Sequence, residues 1–287
     1  MWFILALLTA FFASLNDAFA KKFFSHLSHY EMAVFPMAYS LPFFLPVYLF
    51  IDSPPLDFLF YLSFLVSLPI NGVAFILYMK AIKISPLSLT IPYLAFTPVF
   101  MIFTGFAFLG EVPGMSGLTG IMMICMGGYV LNLDLDKFTL LSPIRAVFHE
   151  KGSMIMLLVA FIFSFAAVIG KVGILHSSPV YFSVSFFMVF NMVMFFLLLA
   201  MKKISVANLL KYKFKGLLIG GTMFFHAIFH GLSIALAKAA YMISIKRLSI
   251  LFSVIYGGVF FDEKNIRMRI AGALLMFLGS VMILIGE

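Results

Sequence analysis

The sequence predicts an all-α polytopic membrane protein, with ten transmembrane helices in two inverted five-helix repeats. Three observations carry that expectation. Hydrophobic residues make up 64% of the 287 and charged residues only 10%, against roughly 25% charged in soluble domains. The charges cluster and leave apolar runs of about 20 residues, the length that crosses a ~30 Å hydrocarbon core. Two phrases also echo each other 152 residues apart: "GFAFLGE" (105–111) and "GGVFFDE" (257–263) both run from Gly through apolar residues to Glu. A soluble chain of this length cannot bury so much apolar surface, and the runs lack the alternation of a β-barrel.

The spans are placed near 2–22, 31–51, 58–79, 86–109 and 115–133, then 153–174, 180–201, 216–237, 239–261 and 267–286. The first 20 residues lack a basic start and share the character of the rest of the chain, so they read as a mature span rather than a signal peptide. All spans should be helical, because lipid-facing backbone must satisfy its own hydrogen bonds. The turns "DSPP" (52–55), "GEVP" (110–113) and "HSSP" (176–179) use Pro to end or start helices. The polar stretch 134–152 separates residues 1–133 (spans 1–5) from residues 153–287 (spans 6–10). The single cysteine, Cys125, sits in an apolar run and excludes an internal disulfide.

The echo extends along both halves. Shifted by 150, Leu8, Ala10, Phe11, Ser14 and Lys21 fall on Leu158, Ala160, Phe161, Ser164 and Lys171. Shifted by 152, Gly105, Glu111, Gly120 and Gly127 fall on Gly257, Glu263, Gly272 and Gly279. Five spans is an odd number, so a second copy enters the membrane from the opposite side. That is the inverted repeat of alternating-access transporters. The odd-numbered connections hold fifteen Lys and Arg, the even-numbered ones only Lys171 and Lys238. The positive-inside rule therefore places both termini on the non-cytoplasmic side, in a membrane expected to be the prokaryotic plasma (inner) membrane.

With these residues in view, the chain resembles the EamA-like branch of the drug/metabolite transporter superfamily. The resemblance rests on Ser14 to Lys21 and its copy Ser164 to Lys171, on Pro98 to Glu111, and on "IKRLSILFSVIYGGVFFDE" (245–263). It implies a basket of ten helices, with spans 1–4 and 6–9 around a substrate cavity and spans 5 and 10 outside it, often at a dimer contact. It also implies both termini inside, against the charge rule. The related small multidrug resistance transporters carry a span-1 glutamate for proton and cationic drug. When their lysine is aligned with Lys22, Ser14 takes that place and the nearest acid is Asp17.

Polar residues within spans point to function, because they are costly in lipid unless they face protein or water. Ser14, Asp17 and Lys21 share one face of span 1, where Asp17 and Lys21 can also simply pair. Thr222, His226, His230 and Ser233 form a stripe on span 8. They either line a pocket or bridge helices, and no third ligand argues for a metal. Lys246, Ser249, Ser253 and Tyr256 follow one face of span 9 beside Arg247, and two adjacent cations within a span favour a cavity over snorkelling. Pro86, Pro92 and Pro98 on span 4 free carbonyls and suit either bending or gating. Glu111 and Glu263 at the membrane boundary are read as structural or gating residues. Asn71 and Asn191 could touch substrate or bridge helices, and Tyr93 and Tyr241 are expected to line the cavity. Gly117, Gly120, Gly127 and Gly128 on span 5, with Gly272 and Gly279 on span 10, suit close packing, either within the chain or in a homodimer.

The function these residues predict is secondary transport of a small polar anionic or zwitterionic metabolite, such as an amino acid relative, by alternating access. Ser14, Asp17, Lys21, Asn71, Tyr93, His226, His230, Tyr241, Lys246 and Arg247 are the candidate ligands. A proton-coupled exporter of cations using Asp17 is the rival. "GMSG" (114–117) has the form of an intramembrane serine protease motif, with His226 or His230 as base. Pro113-Gly114 directly before span 5 instead makes Ser116 a helix-start residue, so no enzyme activity is expected. No cofactor, metal or nucleic-acid partner is expected beside the substrate and the bilayer.

Overall fold

The computed structural model describes residues 1–84, 91–131, 151–252, 256 and 266–286, with backbone alone at Lys21, His29, 82–83, 91–92, 131 and 266–270. Among them eleven α-helices and one 3₁₀ helix occur, and no strand. In chain order they are α1 (Trp2–Phe24), α2 (His29–Phe50), α3 (Phe58–Ile84), the 3₁₀ helix (Ile91–Phe96), α4 (Thr97–Leu109) and α5 (Met115–Leu131). The second half has α6 (Lys151–Leu175), α7 (Pro179–Ala200), the short α8 (Val206–Lys211), α9 (Lys213–Leu236), α10 (Ala239–Lys246) and α11 (Ile266–Ile285). Six of these, α1, α2, α3, α6, α7 and α9, are long and apolar enough to cross a membrane. The protein is an all-helical integral membrane protein.

Two of the predicted spans are broken helices. The fourth begins as 3₁₀ helix and becomes α-helical only at Thr97. Pro98 has no N–H for the Leu94 carbonyl four residues back, and the Thr97 hydroxyl donates to that carbonyl instead (2.8 Å). The ninth stops being regular after Lys246. Leu248, Ile250 and Leu251 then bond three residues back rather than four, to Ile245, Arg247 and Leu248. Under the 152-residue shift of the sequence echo, the 3₁₀ segment 91–96 falls on 243–248, which is the last turn of α10 and the two residues after it. No Pro or Gly marks the second break, and sequence reading carried span 9 straight through it. Residues 253–255 and 257–261 of that span lie outside the described residues.

The opening echo has a local explanation at its first copy. Gly110 ends α4 at φ 65°, its N–H bonding to Phe106 O, while the Glu111 N–H returns to Gly105 O (3.2 Å). That is a left-handed helix cap, for which glycine is the residue without steric cost. The second copy, including Glu263, lies outside the described residues.

The helices pair across the two halves. α1 packs on α9 as α6 packs on α3, and α4 packs on α6 as α10 packs on α1. α5 packs along α11, and α2 along α7. The glycines of α5 and α11 are used in that contact. A Cβ on Gly120 would stand 2.5 Å from Gly279 O, and one on Gly127 would stand 2.7 Å from Gly272 O. These faces are thus closed within the chain, one of the two uses their sequence allowed.

The connection over residues 202–215 contains α8. Glu31, already in a capping box with Ser28 at the start of α2, accepts from Ser205 N–H (3.2 Å) and Asn208 Nδ2 (2.8 Å). The Tyr39 hydroxyl donates to Leu209 O. At the other end of the bundle, Asp57 accepts from Phe60 N–H (2.9 Å) and pairs with His176 Nδ1 (2.6 Å), joining the start of α3 to the end of α6. The Phe60 N–H, with His176 assisting, holds the Asp57 carboxyl below the usual carboxylate range.

Candidate functional site

A cavity of about 250 Å³ lies inside the bundle between α3, α4, α6, α7, α9 and α10. Its polar side is built at the two helix breaks. Arg247, at the end of α10, donates from Nη2 to the Thr97 hydroxyl that begins α4 (2.8 Å). Lys246, His226, His230, Asn71, Ser67 and Lys171 complete that side, and Phe163, Phe182, Phe186 and Phe187 form the apolar one.

Several of these polar groups lack partners within the protein. Ser67 Oγ, His230 Nδ1 and Arg247 Nε are buried without a hydrogen-bond partner. All three residues line the cavity. A buried polar atom left unmade costs free energy, and three such atoms belong to residues that line this one cavity.

The span-8 stripe on α9 divides. Thr222 accepts from Asn16 Nδ2 (3.0 Å), His226 Nδ1 meets Thr9 O (3.2 Å), and Ser233 donates to Trp2 O (2.9 Å). Those three tie α9 to α1. The ring of His230 stacks on that of His226, with centroids 6.1 Å apart. His226 and His230 both line the cavity.

Other expected residues sit as follows. Ser14 is buried and donates to Phe11 O (2.8 Å), and its repeat equivalent Ser164 donates to Phe161 O (2.6 Å); neither lines the cavity. Asp17 is exposed on α1 and is not among the cavity-lining residues, though it lies in electrostatic reach of Lys246 and Tyr78. The Lys21 side chain and that of Pro92 lie outside the described residues. Asn71 donates to Ser67 O on its own helix (2.9 Å). Asn191 donates to Ser40 Oγ (3.0 Å) and bridges α2 to α7. Pro98 is buried in the first turn of α4.

The two tyrosines are not found where the sequence reading expected them. Tyr241 is fully buried, its ring in the notch left by Gly117 and its hydroxyl accepting from Gly114 N–H (2.9 Å). Its bulk is used to seat α10 on α5. Tyr93 packs in a separate cluster with Ala81, Met156 and Val159. Ser116 of "GMSG" packs against Gly286 at the end of α11, while His226 and His230 line the cavity on α9.

Lys171 and Ser67 were missed as site residues. Lys171 entered the sequence reading as the repeat equivalent of Lys21 and as a connection charge, yet it lines the cavity. Its amine pairs with Glu111 and donates to Ala237 O. Glu111 also accepts from Ala239 N–H (2.7 Å) at the start of α10. One carboxylate therefore clasps α4, α6 and the α9–α10 junction together. Ser67 could have been found, since it lies one helical turn before Asn71 on the same face.

With this geometry in place, the comparisons with known proteins take on structural meaning. Residues 1–133 match the EamA-like transporter family. That match covers 133 of the 287 residues, agrees with the family resemblance read in the first half of the sequence, and supports a role in membrane transport. No curated protein matches the chain. A solved structure titled "Crystal structure of protein" is similar over 99% of this chain and 96% of its own, with TM-score 0.76 and 11% identity, which speaks for the fold alone. The EamA-like segment supplies Ser67, Asn71 and Thr97 to the cavity, and Glu111 to the clasp. Every Lys, Arg and His of the lining comes from residues beyond it.

Proposed function

We propose that the protein is a secondary transporter for a small polar anionic or zwitterionic metabolite, such as an amino acid relative, working by alternating access. The observation that carries this reading is the cavity at the two helix breaks, with Arg247 joining them through Thr97. Interrupted helices in corresponding positions of two halves are where such transporters bind substrate. An Arg fork suits a carboxylate, with Lys246 beside it as a more point-like group.

The finer architecture belongs to the same proposal: ten spans in two inverted repeats about a pseudo-two-fold axis. Reciprocity supports it. Gly120 meets Gly279 and Gly127 meets Gly272, while the sequence shift equates 120 with 272 and 127 with 279. A two-fold axis requires that exchange, with i meeting j′ and j meeting i′. The helix pairings α1–α9 and α6–α3 exchange in the same way. The termini are proposed to be non-cytoplasmic from the charge bias, in a prokaryotic plasma membrane, and a homodimer would form outside the α5–α11 glycine contact.

Transport in proteoliposomes tests the function, with labelled anions, zwitterions and cations offered separately. Arg247→Ala and Lys246→Ala should each abolish uptake of anions and zwitterions. The rival, proton-coupled cation export, draws on Asp17 and its electrostatic reach to Lys246. If both cation removals leave transport unchanged while Asp17→Asn abolishes cation movement, the rival replaces the proposal. A C-terminal reporter active only in the cytoplasm should stay silent; a bright signal overturns the orientation.

A further inference from the structure

The cavity's own inventory narrows the substrate. Among the described residues no Asp or Glu lines it, whereas Lys171, Lys246 and Arg247 do. Glu111 answers one of these, pairing with Lys171 at its edge. Asp17, the other nearby acid, is outside the lining and interacts with Lys246. A substrate amine in this space would therefore meet donors and cations but no carboxylate. A substrate anion would meet the guanidinium of Arg247, which lines the cavity and whose Nε has no partner among the described residues.

The phenylalanines of the lining have a defined arrangement. Phe182 and Phe186 stack one turn apart on α7, rings 5.7 Å apart and 3° from parallel, and Phe190 continues the stack at 5.7 Å and 7°. Phe64 of α3 meets Phe182 and Phe186 edge-on. Gly173 of α6 leaves the notch that Phe182 fills. These rings are buried and hold one another, so Phe182 and Phe186, which line the cavity, offer a preformed aromatic surface against which an aromatic or other apolar group can pack. The volume of about 250 Å³ lies just below the usual range of ligand pockets, roughly 300–1,000 Å³, which limits the substrate to one ring-sized tail and one head group.

We infer that the substrate is an organic monoanion with an aromatic or similarly flat apolar tail, its carboxylate on Arg247 and its tail on Phe182 and Phe186, and that a zwitterion bearing the same tail is discriminated against. This rests on the reading of the cavity as the transport site and chooses between the two substrate classes that reading admits. An amine carried into the cavity loses its water without gaining an acceptor of opposite charge, which costs about tenfold or more in affinity.

Three compounds with one phenylethyl skeleton separate the outcomes: 3-phenylpropanoate (anion), L-phenylalanine (zwitterion) and 2-phenylethylamine (cation). Binding of radiolabelled 3-phenylpropanoate to the purified full chain in lipid nanodiscs is measured, with the other two as competitors and as labelled ligands. The expected result is that 3-phenylpropanoate binds about tenfold or more tightly than L-phenylalanine, and that 2-phenylethylamine does not compete. Arg247→Gln should abolish binding. Ser67→Ala, a smaller change, should weaken it severalfold and serves if the first variant does not fold. L-phenylalanine binding as tightly as, or more tightly than, the acid overturns the inference and leaves the transporter proposal standing. Tightest binding of the amine overturns both. Binding of none of the three overturns the aromatic-acid inference alone, because the uptake experiment with other solutes tests the broader reading separately.

Discussion

Gly120→Ala is the substitution whose effect the geometry defines most closely. The added Cβ would lie 2.5 Å from Gly279 O, 2.7 Å from Ile283 Cγ1 and 3.0 Å from Ile283 N. Two of the three atoms are backbone and cannot swing aside. An ordinary Cβ contact lies at 3.4 Å or beyond, so α11 must retreat locally by about 0.9 Å. Forcing a methyl into a packed contact costs about 1–3 kcal/mol, and little hydrophobic gain offsets it, because lipid is as apolar as the interface. Gly72→Ala is the control: no atom lies within 4 Å of its added Cβ, and Ala is the better helix former by about 1 kcal/mol. Unfolding in mixed micelles, followed by loss of helical signal with denaturing detergent, should show Gly120→Ala destabilised and Gly72→Ala unchanged or improved. Adding Gly279→Ala should cost less than its own single effect, since one retreat relieves both methyls. Equal behaviour of Gly120→Ala and Gly72→Ala would refute the packing account. Unchanged monomer stability with loss of a dimer would instead assign these glycines to a contact between copies.

Three further outcomes follow from separate features. Lys171→Met or Glu111→Gln removes one member of a buried pair and should destabilise by about 3–5 kcal/mol, whereas the double variant should recover much of that loss; equal or additive losses in the same unfolding assay would break the clasp argument. Asp57 lies outside the spans with its carboxyl held below the ordinary range, so its contribution is present above pH ~4 and lost as pH falls through the lowered value. The stability difference between the protein and Asp57→Asn should accordingly shrink on acidification below pH ~4, and a difference that grows there would contradict the sign. Lys202 follows α7 at φ 55°, a left-handed conformation that costs a side-chain-bearing residue about 1–2 kcal/mol; Lys202→Gly should therefore raise the unfolding midpoint by a net ~0.5–1 kcal/mol after the entropy of glycine is counted.

The membrane class, the helix positions and most of the cavity cations were legible in the sequence, because hydrocarbon leaves few places for a charge and few forms for a backbone. Lys246 and Arg247 stood out for that reason, as did His226 and His230. The break after Lys246 was not legible. It has no Pro or Gly, and it follows from where α10 meets Thr97 and Tyr241 meets Gly117, contacts between residues more than 100 apart in the chain. Tyr241 was misplaced for the same reason: an amphipathic ring reads alike whether it lines a cavity or fills a notch, and only the glycine opposite decides. Lys171 was undervalued because the sequence placed it among the connection charges, and only the structure brings Glu111 and Ala237 beside it. The aromatic wall was invisible among 38 phenylalanines, since its distinction lies in ring orientation.

The distribution of satisfied and unsatisfied polar atoms also says where the bundle can move. α1 and α9 are joined near one end by Ser233 to Trp2 O, in the middle by His226 with Thr9 O, and towards the other end by Asn16 with Thr222 and Ile219 O. Sliding one past the other would break four hydrogen bonds in a medium that offers no water to replace them, so the two helices move as one body. Across the cavity, α4 and α10 are joined by Arg247 to Thr97 and, at their ends, by the Glu111 clasp. Each involves a residue that lines or borders the cavity, where a bound anion can take over the bonds that are released. Under alternating access, the change in shape is therefore expected between α4 and α10, with α1–α9 rigid. Spin labels placed on α4 and α10 should show two distance populations whose ratio responds to an anionic ligand. Labels on α1 and α9 should show one. Two populations across α1–α9, with a single one across α4–α10, would reverse the assignment of the moving boundary.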